Sequence, residues 1–413
     1  MVQISISDAF NAEKFYPTDK IILCKYKDKH YALGSFCGFD FTNLATGALI
    51  GQKLICPTCG SNYDIASGIV DQGPSMRNIS SFNIAIRDEE IKVTLPEHVP
   101  AFSRKKNLQR QTLDPRVYVI LGDTLTALSA IDALRTNFTG NIVLVPQSEF
   151  GAFQNTDILY KKMGKVTKTE LFLQEDDFLD RANVVVLKGN LKWIDLDQKY
   201  ITLYGHKDKI NFDKLLIAWG ADKIRLKQSF SNVFYLEDLQ SHARIHNELL
   251  KANQVVVLGG TFEAYQLAAT FRDYLDSIGY TDTKIMLLCD GNTDVQHTLG
   301  NKVSKYVHDL LREKRISVVV NAKVSRFEGD TKLEKIHFYK AEDKNFENYI
   351  EGGCTEYFVK PDFVVAENGI GAPKVELNKV IDVKQFSSVN FVGVDQEGIP
   401  ASNIRFSLLY NDI

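Results

Sequence analysis

Alternating apolar and polar residues mark the first hundred residues as β structure. Residues 20–26 and 30–33 are predicted to form two strands, joined by a Lys-Asp-Lys turn. Residues 81–86 and 90–95 alternate in the same way on either side of a polar turn, which predicts an antiparallel hairpin. The pattern therefore predicts a small all-β domain over residues 1–98.

The character of the chain changes after this domain. Prolines bracket a basic run in residues 99–116, and no apolar period continues through it. We interpret this stretch as a solvated linker, with a docking patch as the alternative.

Beyond the linker, short continuous apolar runs alternate with helical segments. Residues 117–121 and 141–145 form one pair of runs, and residues 254–258 and 284–290 form another. A helix between two such runs makes a β-α-β unit, which is typical of a parallel sheet. The sequence thus predicts a multidomain chain in which a small all-β domain precedes an α/β fold with two dinucleotide-binding units.

In the first β-α-β unit, the turn lies where the fingerprint G-x-G-x-x-G of dinucleotide-binding proteins belongs. Gly122 keeps the first glycine, Thr124 takes the place of the second, and Ala127 takes the third. The second glycine normally lets the backbone approach a pyrophosphate closely, and a threonine side chain intrudes on that space.

The second β-α-β unit has the same residue types at the three fingerprint positions, namely Gly259, Thr261 and Ala264. It also has a second glycine, Gly260, beside the first. Asp290 ends the following strand and is a candidate ligand for a ribose. If either turn binds a nucleotide, we expect NAD(H) at this second one.

Three cysteines stand in the spacing C-x-F-x16-C-x2-C, formed by Cys37, Phe39, Cys56 and Cys59. This resembles a Rieske site, which needs C-x-H and C-x2-H because two imidazoles bind one of its two irons. Phe39 and Cys59 occupy the two histidine positions, and no histidine lies between residues 31 and 97. We therefore expect a Rieske-like domain without an iron–sulfur cluster.

The same cysteines suit a different metal. Cys37, Cys56 and Cys59 with one more ligand would make a closed zinc site, and Cys24 or His30 are the candidates for the fourth position. Inert thiols or a disulfide are the alternatives.

Composition narrows the range of functions. The 413 residues carry a formal charge of −3, which does not favour nucleic acid or an anionic membrane surface. No apolar run approaches the roughly 20 residues of a membrane span, and the first twenty residues resemble neither a signal nor a transit peptide. Six cysteines in so long a chain do not indicate a secreted disulfide scaffold.

The order of these motifs resembles the pyridine nucleotide-disulfide oxidoreductases, and more narrowly the apoptosis-inducing-factor-like flavoproteins that carry a Rieske domain. The motifs that carry the resemblance are Gly122 to Ala127, Ala218 to Gly220, Gly259 to Ala264, Gly369 to Pro373, and Val392 to Asp395. The resemblance implies an FAD-binding domain over residues 117–245 and 371–413, interrupted by an NAD-binding domain over residues 246–370. It also implies that Asp395 would hold the ribityl chain of FAD.

Several positions depart from the family pattern at its cofactor contacts. Trp219 replaces a threonine, Val394 replaces a glycine, and residues 150–157 lack the arginine of the family motif. The family has a third, C-terminal domain, and we expect this protein to lack it. We therefore expect no bound FAD and a non-catalytic structural or assembly subunit of a larger complex.

The resemblance places that complex in the mitochondrion, with residues 404–410 as the nominated protein contact. An FAD- and NADH-dependent oxidoreductase and a nucleotide-binding sensor remain the alternatives.

Overall fold

The fold is described from a computed structural model. The residues it describes are 2–6, 16–17, 21–87, 90–96, 102–103, 113–146, 156–173, 177–220, 222–289, 295–340, 356–371 and 389–393.

The N-terminal region is built from antiparallel strands and one short 3-10 turn, Leu44–Thr46. This confirms the predicted all-β region. Its strands are β1 (Val2–Ile6), β2 (Tyr16–Pro17), β3 (Ile21–Tyr26), β4 (Lys29–Gly34), β5 (Ala48–Ile50), β6 (Lys53–Ile55), β7 (Asn62–Asp64), β8 (Val70–Gln72), β9 (Asn78–Ile79), β10 (Ser81–Phe82), β11 (Ile84–Arg87), β12 (Glu90–Leu95) and β13 (Phe102–Ser103).

Two antiparallel sheets of this region have the strand orders β10-β4-β3-β2 and β1-β12-β11. The predicted strand pairs β3–β4 and β11–β12 are both antiparallel. The inward-facing apolar side chains of these strands make one cluster, because alternate residues of a strand face the same side. Its buried members are Ile21, Leu23, Ala32, Ile91, Val93 and Leu95.

A second antiparallel sheet, in the order β5-β6-β7-β8, carries the two cysteine loops. We call this sheet, together with residues 35–47 and 56–61, the tip. Leu54 on β6 and Tyr63 on β7 are paired neighbours on adjacent strands, and both are fully buried.

One element lies inside the predicted linker. Phe102 and Ser103 form β13, which pairs with β9. The Arg77 guanidinium lies 5.3 Å from the Phe102 ring and 5.7 Å from the Phe41 ring of the first cysteine loop. Phe102 therefore packs on a buried cation, and the interpretation of residues 99–116 as a linker stays a prediction.

The remainder of the described chain is α/β. Its elements are β14 (Val117–Leu121), α1 (Leu125–Asn137), β15 (Asn141–Val145), α2 (Thr156–Lys161), α3 (Lys168–Leu171), α4 (Phe178–Arg181), β16 (Val184–Val186), β17 (Leu191–Asp195), β18 (Tyr200–Leu203), β19 (Ile210–Asn211), β20 (Lys214–Gly220), β21 (Asp222–Lys223), β22 (Val233–Phe234), α5 (Leu239–Leu249), β23 (Gln254–Leu258), α6 (Phe262–Ser277), β24 (Lys284–Leu288), α7 (Val295–Glu313), β25 (Ile316–Val319), β26 (Ala322–Gly329), β27 (Leu333–Lys340), β28 (Tyr357–Val359), β29 (Phe363–Ala366), β30 (Ile370–Gly371) and β31 (Val389–Gly393).

The first α/β sheet has the strand order β16-β15-β14-β20-β31. The pairs β14–β15, β14–β20 and β15–β16 are parallel, as the β-α-β pattern predicts. Helix α1 buries Ala127, Leu128 and Ile131. A separate antiparallel sheet has the strand order β17-β18-β19.

The second α/β sheet has the order β22-β29-β23-β24-β25, and all four of its strand pairs are parallel. The continuous apolar run of β23 is buried from Val255 to Leu258, as expected of a strand covered on both faces. A three-stranded antiparallel sheet, β26-β27-β28, shares a core with it through Val256, Leu333 and Phe338.

The chain divides into two compact units. The first comprises Met1–Asn155, Lys168–Trp219 and Leu377–Asn390, and the second comprises the remaining segments, beginning with Thr156–Thr167 and continuing from Gly220. Residues 220–245 thus lie with the second sheet, whereas the resemblance assigns them to the first α/β domain. The predicted domain boundaries stay a prediction.

Candidate metal centre and dinucleotide turns

The first cysteine loop of the tip is a tight turn that begins at Cys37. The Phe41 N–H donates to the Cys37 carbonyl at 3.0 Å, and the Cys37 N–H donates to the Thr42 carbonyl at 2.9 Å. Phe41 has a left-handed backbone with φ of 58°. Gly38 is required in this turn, because a Cβ there would lie 2.6 Å from Ser75 Oγ.

The second cysteine loop repeats this turn in the same register. The Gly60 N–H donates to the Cys56 carbonyl at 3.1 Å, and the Cys56 N–H donates to the Ser61 carbonyl at 2.9 Å. Gly60 is left-handed, with φ of 74°. A hydrogen bond of 2.9 Å between the Thr42 and Thr58 hydroxyls joins the two loops.

The paired turns bring together four side chains that can bind a metal. One ligand atom from each of Cys37, Asp40, Cys56 and Cys59 lies within 4.8 Å of all the others. Cys37 Sγ is 3.5 Å from Cys59 Sγ, and Cys56 Sγ is 3.8 Å from Asp40 Oδ1. Cys37, Asp40 and Cys56 are buried, and Cys59 is partly exposed. This group is the candidate metal centre.

Hydrogen-bond donors surround the sulfur atoms. The Tyr63 hydroxyl lies 3.3 Å from Cys37 Sγ and accepts from the Gly38 N–H at 2.9 Å, which leaves its own hydrogen available to the sulfur. The Phe39 N–H donates to Cys37 Sγ at 3.5 Å. Ser61 Oγ lies 3.1 Å from Cys59 Sγ. Such donors stabilise thiolates over thiols.

The pKa values of the cysteines are shifted in opposite directions. Hydrogen bonds from Cys37 and then from Cys59 lower the pKa of Cys56 to about 2. The same contact with Cys56, followed by the contact with Cys59 and by burial, raises the pKa of Cys37. By contrast, burial alone raises the pKa of Cys24 to about 12, and this thiol lies in strand β3 outside the group.

A Rieske cluster does not fit these residues. Phe39 stands at the position of an imidazole ligand, and its ring is buried with 7% exposed and offers no donor atom. A two-iron cluster also divides its ligands between two irons, whereas the four ligand atoms here lie within 4.8 Å of one another.

The sequence predicted three of these four residues. The fourth is Asp40, and the two residues predicted for that position, Cys24 and His30, do not belong to the group. The signal was present in the spacing. Cys37 and Asp40 form C-x2-D, which mirrors the C-x2-C of Cys56 and Cys59.

In the first unit, Gly122 lies in the turn between β14 and α1. Its φ is 115°, and a Cβ there would lie 2.2 Å from the Ala218 carbonyl oxygen. Thr124 Oγ1 donates to the same carbonyl at 2.9 Å. Trp219, the next residue of β20, is 9% exposed. The strand end beside this turn is thus close-packed.

In the second unit, Gly259 lies in the equivalent turn between β23 and α6. Its φ is 137°, and a Cβ there would lie 2.0 Å from the Glu367 carbonyl oxygen. Thr261 Oγ1 donates to that oxygen at 3.5 Å and accepts from the Ala264 N–H at 3.3 Å, so it caps helix α6. Both turns therefore meet the fingerprint's requirement for a first glycine and place a threonine hydroxyl at its second position.

Glu367 adds a buried ionic cluster at the carboxyl end of β29. Lys223 Nζ donates to Glu367 Oε2 at 2.7 Å, and the Tyr160 hydroxyl donates to Glu367 Oε1 at 2.9 Å. Burial raises the pKa of Glu367, and Lys223 opposes that shift. The carboxyl ends of the strands are where ligands bind in open α/β sheets. This cluster had no signal in the sequence analysis.

Two predicted ligands, Asp290 and Asp395, lie outside the described residues, as does the nominated contact at residues 404–410. Gly260 is described and buried beside the second turn. Among the helices that the structure describes, none has the length and apolarity needed to cross a bilayer.

A family model for pyridine nucleotide-disulphide oxidoreductases matches residues 116–397. The chain belongs to this family. Its N-terminal all-β region precedes the part matched by the family model.

Curated relatives match the chain at low identity. Apoptosis-inducing factor 3 of Homo sapiens is 21% identical over 77% of this chain and 53% of its own length. Putidaredoxin reductase CamA of Pseudomonas putida is 24% identical over 54% of each chain. The chain thus spans about half the length of these relatives.

A solved structure agrees on the fold. A covalent putidaredoxin reductase–putidaredoxin complex contains a chain that superposes with a TM-score of 0.55 at 22% identity, covering 68% of this chain and 67% of that one. At this identity the likeness shows the fold alone, an α/β dinucleotide-binding fold of the oxidoreductase type.

Proposed function

We propose that this protein is a non-catalytic member of its family that serves as a structural or assembly subunit of a larger complex. The observation that carries the proposal is the matched pair of threonine hydroxyls. Thr124 and Thr261 occupy the second glycine position of the two turns, and each donates to a carbonyl of the neighbouring strand end.

These bonds make each turn self-contained. The second glycine of the fingerprint serves close approach of the backbone to a pyrophosphate. A threonine adds bulk at that point, and Thr261 also satisfies one of the N–H groups that a phosphate would accept from. Both features support turns that maintain the fold without a bound dinucleotide.

The N-terminal domain supports the same conclusion. The residues at its Rieske-like positions do not suit a two-iron cluster, since Phe39 has no ligand atom. Without a flavin and a cluster the chain would have no path for electrons. What remains for selection to maintain is a folded surface for protein partners. We place that complex in the mitochondrion by resemblance to the family members, with residues 404–410 as a contact.

The proposal is tested on the protein from native extract. Size-exclusion chromatography should place it in an assembly much larger than its own 46.6 kDa. Deleting residues 400–413 should release it from that assembly while its circular dichroism and melting temperature stay unchanged. A freely soluble monomer that oxidises NADH would refute the proposal.

Family membership itself favours a second candidate, an FAD- and NADH-dependent oxidoreductase. Gly122 and Gly259 keep the turns tight enough for that role. In such a protein the bound flavin would supply hydride transfer. A third candidate is a nucleotide sensor, which would bind NAD(H) at the second turn alone, near Gly259 and Gly260. Equilibrium dialysis with labelled FAD and NADH separates the three roles. A structural subunit should bind neither ligand, an oxidoreductase should bind both, and a sensor should bind NADH only.

A further inference from the structure

We propose that Cys37, Asp40, Cys56 and Cys59 bind a single Zn²⁺ in a closed tetrahedral site that holds the tip together. This extends the proposed structural role to the tip, but it rests on separate residues. The two cysteine loops present the same turn twice, each offering the first and fourth residues of C-x2-D and C-x2-C.

The distances suit one ion. A Zn–S bond of about 2.3 Å places two thiolates roughly 3.8 Å apart around a tetrahedral zinc. Cys37 and Cys59 have their sulfurs 3.5 Å apart, and Cys56 Sγ is 3.8 Å from the Asp40 carboxylate. All pairs in the group lie within 4.8 Å. The four ligand atoms are therefore close enough to one another to bind one ion.

The donor set selects the metal class. Three thiolates favour a soft or borderline ion such as Zn²⁺ over Mg²⁺ or Ca²⁺, which take oxygen ligands. Four protein ligands leave no open position, which is the mark of a structural zinc site. Three of the four are buried, so exchange with solvent is restricted.

Neighbouring groups orient the ligands. Tyr63 is fully buried and lies 3.3 Å from Cys37 Sγ, while Ser61 Oγ is 3.1 Å from Cys59 Sγ. Ser61 Oγ in turn accepts from the Ser75 N–H at 2.8 Å. Partners that hydrogen-bond to metal ligands fix their orientation, and losing one such partner typically costs 10–100-fold in affinity. Tyr63 and Ser61 are therefore positioning residues.

The tip also has a reason to use a metal. It is a four-stranded sheet of three-residue strands. Small structural units commonly use a bound metal to supplement a limited apolar core. A zinc that crosslinks both loops would stabilise the tip in this way.

The test uses the full chain, purified under reducing, metal-free conditions and titrated with Zn²⁺ against a chromophoric chelator. We expect one zinc per chain. Asp40→Ala and Cys56→Ser should each reduce the zinc affinity by more than about 100-fold, because loss of a ligand costs more than loss of a residue that only hydrogen-bonds to a ligand. Asp28→Ala and Cys24→Ser are the controls. Asp28 is exposed and Cys24 is buried in β3, and neither belongs to the group, so both should keep the affinity of the parent chain.

Co²⁺ substitution reads out the ligands even where a variant is less stable. Asp40→Cys should keep one metal per chain and strengthen the thiolate-to-cobalt charge-transfer band, since it adds a fourth thiolate. Three results would overturn the site: no zinc uptake by the reduced chain, unchanged affinity in Asp40→Ala, or two irons with acid-labile sulfide per chain. If the protein binds zinc but belongs to no assembly, the zinc site is supported and only the proposed subunit role is refuted.

Discussion

The tip and the dinucleotide turns depart from their family patterns in opposite ways. In the tip, one of the two substituted positions still offers a donor, because Cys59 stands where a histidine is expected, and Asp40, next to Phe39, offers another. In the turns, Thr124 and Thr261 direct their hydroxyls to carbonyls of their own fold. One region has thus exchanged its ligands, and the other has satisfied its own polar groups. Departure from a motif therefore has two distinct structural outcomes.

Removing the metal should have the largest effect, and only in the tip. Structural zinc in finger peptides contributes an apparent free energy of about 10–16 kcal/mol. Chelation should therefore abolish amide-exchange protection in β5–β8 while helix α1 keeps its protection. Cys56→Ser, which lacks one ligand, is the control, and chelation should change its exchange protection no further. Equal loss of protection in α1 would contradict a metal effect confined to the tip.

Replacing Trp219 should have the next largest effect. Trp219→Thr restores the family residue, yet it removes a buried indole, and large-to-small changes of this kind cost about 3–5 kcal/mol. Denaturant unfolding should show this loss, and FAD titration should show no binding. The exposed Trp193, 39% accessible, gives the matched control in Trp193→Thr. A yellow Trp219→Thr protein would mean that the indole alone had blocked the flavin.

The two threonines sharpen the comparison, because they differ in capping. Thr261 caps α6 through its hydroxyl, whereas Thr124 makes no side-chain cap bond to α1. Thr261→Val should cost about 1–2 kcal/mol, since it loses a cap as well as a carbonyl bond. Thr124→Val should cost about 1 kcal/mol, the value of one hydrogen bond. Equal losses in thermal unfolding would show that the two turns are built alike after all.

The smallest expected effect is a dependence on pH in the second unit. Burial lowers the pKa of His242, whose ring nitrogen lies 2.8 Å from the Lys162 carbonyl. The unfolded chain then binds a proton more readily than the folded one, so stability is lost as the pH falls below about 6.5. Denaturant unfolding at several pH values should show this slope, and His242→Gln should flatten it. If His242→Gln keeps the same dependence of stability on pH, that dependence belongs to other titratable groups.

Much of the fold was predictable because its signals are local. The apolar runs of β14 and β23 and the glycines that follow them predicted two parallel β-α-β units, and both are present. The alternating pattern predicted the antiparallel pairs of the N-terminal region for the same reason.

The rest depended on contacts between distant residues. The pairing of Phe102 with β9 and the meeting of Glu367 with Lys223 and Tyr160 join positions far apart in the chain, so no local pattern predicts them. Asp40 is a different case. Its spacing from Cys37 is a local signal, but the Rieske pattern C-x-H places its ligand at Phe39 and includes no residue at position 40.

The most direct test of the central claim is one absorption spectrum of the intact protein from its native source, with metal analysis of the same sample. The account predicts a colourless protein that contains one zinc per chain. Flavin bands in the visible region, or iron–sulfur absorption with two irons and two labile sulfides per chain, would contradict it.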